Sequence, residues 1–279
     1  MFLYSNFVMK NIKDIINATS EISENDKYFW SYQYNLAKEF IVPYLKKNNI
    51  FKSGDAVFEI GCAEGGVLSA FAEAGASLSI GTDIAEYRLD TGKKICQIVN
   101  LPIEFLANDI INNEPPDFLL QKADLVILRD VIEHLDDQEK ALLNIKKLMK
   151  PAGFLYITFP PYYSPFGGHQ HTLHNFWSKV PYIHLLPKSI FHKLISSGRL
   201  PDITEVKRLK EIKLTVRKFI LLAKKIGFHI IKADYFLIRP VYKMKFGLPS
   251  LKITPFAIFP FIRELFCFEA SYILKNNDV

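Results

Sequence analysis

Cysteine is scarce in this chain: Cys62, Cys96 and Cys267 lie far apart and form no CxxC pair. A disulfide-stapled scaffold is excluded, since any one pairing leaves a thiol over, and a reducing cytoplasm is the expected compartment. No apolar run reaches the roughly 18 residues that a membrane-spanning helix needs. The opening residues MFLYSNFVMK have no basic leader, long apolar centre or small-residue cleavage site, so no signal peptide is expected. Repeats and low-complexity tracts are also missing, which excludes a solenoid or a disordered chain. What is present is an ordinary folding composition, 49% hydrophobic and 23% charged over 279 residues. That length suits one large α/β domain with an elaboration, or two modest domains.

Charge is unevenly placed. Residues 1–160 hold 16 Lys+Arg and 22 Asp+Glu, a net −6, whereas the remainder holds 19 and 7, a net +12. Such an excess reads either as solvated helix faces or as a basic surface that meets an anionic substrate or a membrane.

Around Trp30, Tyr34, Phe40 and Tyr44, residues 24–48 alternate aromatic and charged positions and predict an amphipathic helix, kinked or divided by Pro43. From Asp55 the pattern becomes short β-rich runs separated by helical stretches: AVFEI, SLSIGTD, PIEFLANDI, ADLVILRD and GFLYITFP. Strands alternating with helices predict a buried, mostly parallel sheet. Residues 161–216 then break the alternation with prolines, aromatics and histidines, a stretch long enough to be an inserted cap. After Gly227, FHIIKADYFLIRP and LFCFEASYIL predict two further strands, able to close the sheet as an antiparallel pair.

VFEIGCAEGG at 57–66 is a strand that enters a glycine turn and then a helix. Gly61 and Gly65 permit the backbone angles and close approach that a bound nucleotide requires. By itself the turn would also suit a dinucleotide. Glu59 argues otherwise, because a carboxylate two residues before Gly61 would attract the ammonium of a methionine moiety and repel a pyrophosphate. Asp83 ends the second strand, where a carboxylate accepts from both ribose hydroxyls or, alternatively, caps the next helix. Asn108 and Asp109 end the third and can bracket an adenine, with Ile84 or Ile110 over its face.

With E-I-G-C-A-E-G, G-T-D-I, A-N-D-I and D-L-V-I-L-R-D-V-I-E-H-L in succession, residues 50–160 resemble the class I S-adenosylmethionine-dependent methyltransferases. The resemblance implies a Rossmann-like, seven-stranded, mostly parallel α/β sheet and S-adenosylmethionine as cofactor. It assigns cofactor contacts to Glu59, Gly61, Ala63, Gly65, Asp83, Ile84, Asn108, Asp109 and Arg129, although small or polar residues are commoner at the last position. The division that follows is a helical extension at 1–50, a cofactor-binding core at 51–160, an inserted cap and last helix at 161–226, and closing strands at 227–279. FPPYYSPFGGHQHTLHNFW and RPVYKMKFGLP resemble methyltransferases encoded with bacterial surface-polysaccharide genes. That implies O-methylation of a sugar or another small or carrier-linked acceptor, including lipid-linked ones, with peripheral membrane contact allowed.

A sugar hydroxyl is a poor nucleophile until its proton is removed. His134, after the fourth strand, is the candidate general base, with His169 in the histidine loop beside it; His134 could equally be structural. Asp130, Glu133, His134 and His169 also offer carboxylate and imidazole ligands for a divalent metal, and D-x-x-E-H resembles the metal motif of small-RNA 2′-O-methyltransferases. His169, His171 and His174 could instead touch substrate or brace the loop, while Tyr162, Tyr163, Phe166, Phe176 and Trp177 either stack on a sugar or pack the cap. Two other readings stay open: an RNA methyltransferase, though no RNA-binding module is visible, and a non-catalytic subunit that binds cofactor or a partner protein.

Overall fold

The computed structural model describes residues 12–253 and 256–277. The opening residues examined above for a targeting signal lie outside this range. Five strands alternate with helices as the sequence predicts: β1 (Ala56–Ile60), β2 (Leu78–Asp83), β3 (Glu104–Ala107), β4 (Ala123–Arg129) and β5 (Met149–Phe159) pair in parallel. The two late strands, β6 (Phe228–Ile238) and β8 (Glu269–Asn276), pair antiparallel, and β8 inserts between β5 and β6. The full order is β3-β2-β1-β4-β5-β8-β6-β7. Eight strands replace the expected seven. The addition, β7, is only Leu251–Lys252 on the edge of β6, and two residues are too few for an alternating pattern to reveal.

Both faces of the sheet are buried, which is why its strands read as continuous apolar runs. On one face Phe58, Ile60, Val126 and Leu128 pack with α6 (Gln138–Leu148) and α9 (Val216–Lys225). On the other, Val57, Leu125 and Ile127 meet α4 (Gly66–Glu73) and the N-terminal helices α1 (Ile12–Ala18), α2 (Glu24–Leu36) and α3 (Val42–Lys47). Trp30 anchors this second layer: it is fully buried, stacks on Tyr34 at 4.8 Å, and its Nε1–H donates to Ser69 Oγ. Removing ~150–250 Å² of aromatic surface from water stabilises by about 4–6 kcal/mol before entropy is counted. Pro43 does not break the helix, since residues 24–47 stay helical throughout. A π-helical turn at Ala37–Ile41 precedes the proline, which suits a residue without an N–H and with a ring that crowds the carbonyl four residues back.

Past β5, three 3₁₀ turns, α7 (Lys188–Ile195) and α8 (Leu200–Ile212) enclose a small core of Leu173, Ile183, Phe191, Ile195 and Val206. Gly167 and Gly168 close its first loop: a Cβ on Gly167 would lie 2.1 Å from the Pro161 carbonyl, and one on Gly168 2.4 Å from His184 Cβ. His184 is a structural residue of this loop, fully buried with Nε2 2.7 Å from the Tyr162 carbonyl.

Candidate active site

The glycine turn links β1 to α4 at the C-terminal end of the sheet, where open α/β sheets bind ligands. Gly61 has φ +70°, and a Cβ there would sit 2.5 Å from Val131 Cγ2, so side chains are excluded on two counts. Ala63 adopts φ +52° despite its Cβ, and its N–H donates to Asp83 Oδ2 at 2.9 Å. Glu59 is buried behind this turn. Its Oε2 accepts from the Leu68 N–H at 3.1 Å, and burial pushes its pKa up to about 8, against the lowering effect of Arg129.

In front of the turn opens a cavity of about 910 Å³. Gly61, Ala63, Asp83, Ile84, Asn108, Asp109 and Arg129 all line it. Glu59 and Gly65 do not: the carboxylate points into the α4 amides, and the Gly65 position abuts Phe105. Asp83 also serves its alternative role, since Oδ1 accepts from the Ala85 N–H at the start of α5 (Glu86–Val99). Each of its oxygens keeps a second lone pair for a ligand. Asp109 braces its own turn, accepting from the Ile111 and Asn112 amides and from Asn112 Nδ2.

The far wall comes from three regions that are distant in sequence. Gln33 of α2 accepts from Arg129 Nη2 at 2.9 Å, and Phe29 and Tyr32 flank it. From the end of β6, Arg239 donates to Asp130 Oδ2 and, at 2.9 Å, to Glu269 Oε2. Asp130 sits at φ +55° between Arg129 and Arg239; burial would raise its carboxyl, but the two guanidiniums hold it down to about 2. The third contribution is Glu205 on the cap helix α8, whose Oε1 lies 2.7 Å from His134 Nδ1. Arg208 on the same helix donates to Glu205, to Asp136 and to the His134 carbonyl.

His134, His169 and Glu133 converge at the cavity. The Nε2 atoms of both histidines lie 3.9 Å from Glu133 Oε1, and the imidazole centroids are 4.7 Å apart. Neither oxygen of buried Glu133 has a hydrogen-bond partner. Burial pushes Glu133 up to about 7, although His134 pulls the other way. For His134, burial would lower the pKa, but the Glu205 hydrogen bond and the Glu133 charge raise it above the ordinary histidine range. His169 is driven well below that range by burial and by its histidine neighbours.

Other sequence candidates separate here. His171 and Phe166 line the cavity, whereas His174 is exposed and outside it. Tyr162 and Trp177 pack within the cap, Phe176 points to solvent and Tyr163, 40% exposed, is not among the cavity residues, so the expected aromatic stacking surface reduces to Phe166. Gln33 and Glu205 belong to no motif of the sequence, and Arg239 opens RPVYKMKFGLP without a role of its own there. For Glu205 the only signal was its rarity as an acid in the basic half.

A glycine turn at the end of β1, acids at the ends of β2 and β3, and an antiparallel strand inserted beside β5 define a class I S-adenosylmethionine-dependent methyltransferase domain. Residues 58–155 match the family model of a methyltransferase domain. Over 117 residues the chain is 31% identical to the ubiquinone biosynthesis O-methyltransferase of Actinobacillus pleuropneumoniae, covering 40% of this chain and 48% of that protein. It thus spans about half the length of the curated relatives it matches. An S-adenosylmethionine-dependent methyltransferase of Thermotoga maritima superposes with TM-score 0.52 at 15% identity, covering 96% of this chain and 100% of that one. One from Mesorhizobium loti does so with TM-score 0.54 at 12% identity, covering 84% and 96%. At such identities the likeness is one of fold.

Proposed function

We propose that this chain O-methylates a small or carrier-linked acceptor, with His134 as general base. The observation that carries the reading is the Glu205–His134 contact, which occupies Nδ1 and turns Nε2 toward Glu133 and His169 at the cavity. S-adenosylmethionine, when bound, supplies an electrophilic methyl on a positively charged sulfur. Asp83 accepts from its ribose hydroxyls, Asn108, Asp109, Ile84 and Ile110 hold the adenine, and Gly61 and Ala63 admit it against the backbone. Arg129 contributes positive charge to the same wall, and Glu59 and Gly65 act one layer behind by shaping the turn. His134 Nε2 takes the proton of the acceptor hydroxyl as its oxygen becomes the nucleophile, a contribution worth roughly 10²–10⁴-fold. The cap excludes water, and holding acceptor and methyl together supplies most of the remaining advantage.

Oxygen as the target atom is supported by the O-methyltransferase relatives. Lys245, over the Tyr32 ring in the cavity wall, favours an anionic acceptor, such as a sugar on a phosphate-bearing carrier, whereas Arg208 and Arg239 are already held by carboxylates. The test is a methyl-transfer screen with labelled S-adenosylmethionine against nucleotide sugars, lipid-linked sugars and RNA, with product identification. Labelling of RNA alone would replace this acceptor class, and labelling of none would favour a non-catalytic binding subunit.

A second reading rests on Glu133. A buried carboxylate with two unpartnered oxygens is costly, and its ligand atom and those of His134 and His169 lie within 4.8 Å of one another. These three residues fit a divalent cation, which would supply Lewis-acid activation of the acceptor oxygen. Asp130 stands outside this group: Arg129 and Arg239 both hold its Oδ2, while its Oδ1 is buried without a partner.

A further inference from the structure

The connection between β6 and β8 exposes large apolar side chains on a scale that the proposed chemistry does not use. Phe246, Phe256, Ile258 and Phe261 are 66%, 62%, 77% and 60% exposed, with Leu251 and Phe259 about half exposed between them. Scattered exposed hydrophobics are ordinary, but Phe256, Ile258, Phe259 and Phe261 fall within six residues, the rings of Phe259 and Phe261 6.2 Å apart, and so dense an exposed run marks an interaction surface. Its position follows from the sheet. Because β8 runs antiparallel to β5 and β6, the end of β6 and the start of β8 both lie at the C-terminal edge of the parallel strands, where the cavity opens. Phe246 belongs to both, lining the cavity while standing out into solvent.

The connector is strongly basic. Residues 239–268 contain Arg239, Lys243, Lys245, Lys252 and Arg263 against the single acid Glu264, within a half of the chain that carries net +12. Arg239 is held inward by Asp130 and Glu269, whereas Lys243, paired with Glu39, and Lys252, paired with Asp234, keep exposed side chains. Among the described residues no helix is long and apolar enough to cross a membrane.

We propose that this connector docks the protein on an anionic lipid bilayer, its aromatic and aliphatic side chains entering the headgroup boundary beside lysine and arginine. Burial of apolar area together with attraction to anionic lipid is the combination that peripheral docking requires. The cavity mouth at Phe246 then faces the bilayer, so that an acceptor with an apolar tail can leave the tail in lipid while its polar head enters. That consequence rests on the methyltransferase reading; the docking itself does not.

Co-sedimentation of the full chain with phosphatidylcholine vesicles, with and without phosphatidylglycerol, tests it. The native protein binds the mixed vesicles, binds neutral ones much less, and is released by high salt. The triple variant Phe256→Ser, Ile258→Ser, Phe261→Ser lowers binding to mixed vesicles by at least ~10-fold, while its S-adenosylhomocysteine affinity, which reports intact folding, stays native. Three results overturn the proposal: no binding of the native chain to mixed vesicles, equal binding of the variant, or light scattering showing a native dimer, indifferent to vesicles, that the variant makes monomeric. Vesicle binding without methyl transfer to any acceptor removes the catalytic reading and leaves docking in place; methyl transfer without vesicle binding does the reverse.

Discussion

Nδ1 of His134, just after the fourth strand of the sheet, lies 2.7 Å from Oε1 of Glu205 on the cap helix. The pairing joins the cap to the imidazole and ties the orientation of that ring to the position of the cap. Arg208 reinforces it by donating to Glu205 and to the His134 carbonyl.

Glu205→Gln should therefore keep a hydrogen-bonding group but lose the charge. Burial lowers the His134 pKa, and the Glu205 bond is the largest influence raising it. A general base works only when deprotonated, so the acid limb of the kcat profile lies above the ordinary histidine range in the native protein and moves to lower pH in the variant. Turnover on the plateau above the acid limb should fall ~10-fold or more, because the imidazole is less basic and its protonated form loses the neighbouring charge, with cofactor affinity unchanged. An unmoved acid limb would reduce Glu205 to a packing role.

The two readings of Glu133 part on addition of chelator. With His134 as a metal-free base, His134→Ala lowers turnover by roughly 100-fold and chelator does little. If Glu133, His134 and His169 hold a divalent ion, chelator abolishes activity, added metal restores it, and Glu133→Ala behaves like the chelated protein. Full activity in both His134→Ala and His169→Ala, without a metal requirement, would eliminate both mechanisms.

Asp83→Ala should weaken S-adenosylmethionine and S-adenosylhomocysteine binding, measured by calorimetry, by ~10-fold or more, because each charge-assisted hydrogen bond contributes about 1.5–3 kcal/mol. The same carboxylate accepts from the Ala63 and Ala85 amides, so the thermal midpoint should also drop. Native affinity in a folded variant would place the ribose elsewhere.

Gly66→Ala tests the seam between the N-terminal helices and the core. An added Cβ would lie 2.6 Å from the Trp30 carbonyl oxygen, a contact that only a backbone shift relieves. Such overpacking costs ~1–3 kcal/mol, and Tm in a thermal melt should fall by several degrees. Gly66→Ala melting with the native protein would show that α2 can move away from α4 freely.

Sequence alone determined the parallel β–α core, the glycine turn at Gly61 and the acids at Asp83 and Asp109. Each depends on periodicity or on a backbone demand satisfied within a few residues. It also placed Glu133 and His134 together, since they are neighbours in one turn. Tertiary structure decided what surrounds them. Glu205 meets His134 across 71 positions, Gln33 meets Arg129 across 96, and Arg239 meets Asp130 across 109, because α8, α2 and β6 pack around one end of the sheet. It likewise set Oε2 of Glu59 on the Leu68 amide of α4. The residue types at these positions carry no record of such partners: a glutamate on an amphipathic helix reads the same whether it faces solvent or an imidazole, and only the packed layers decide which.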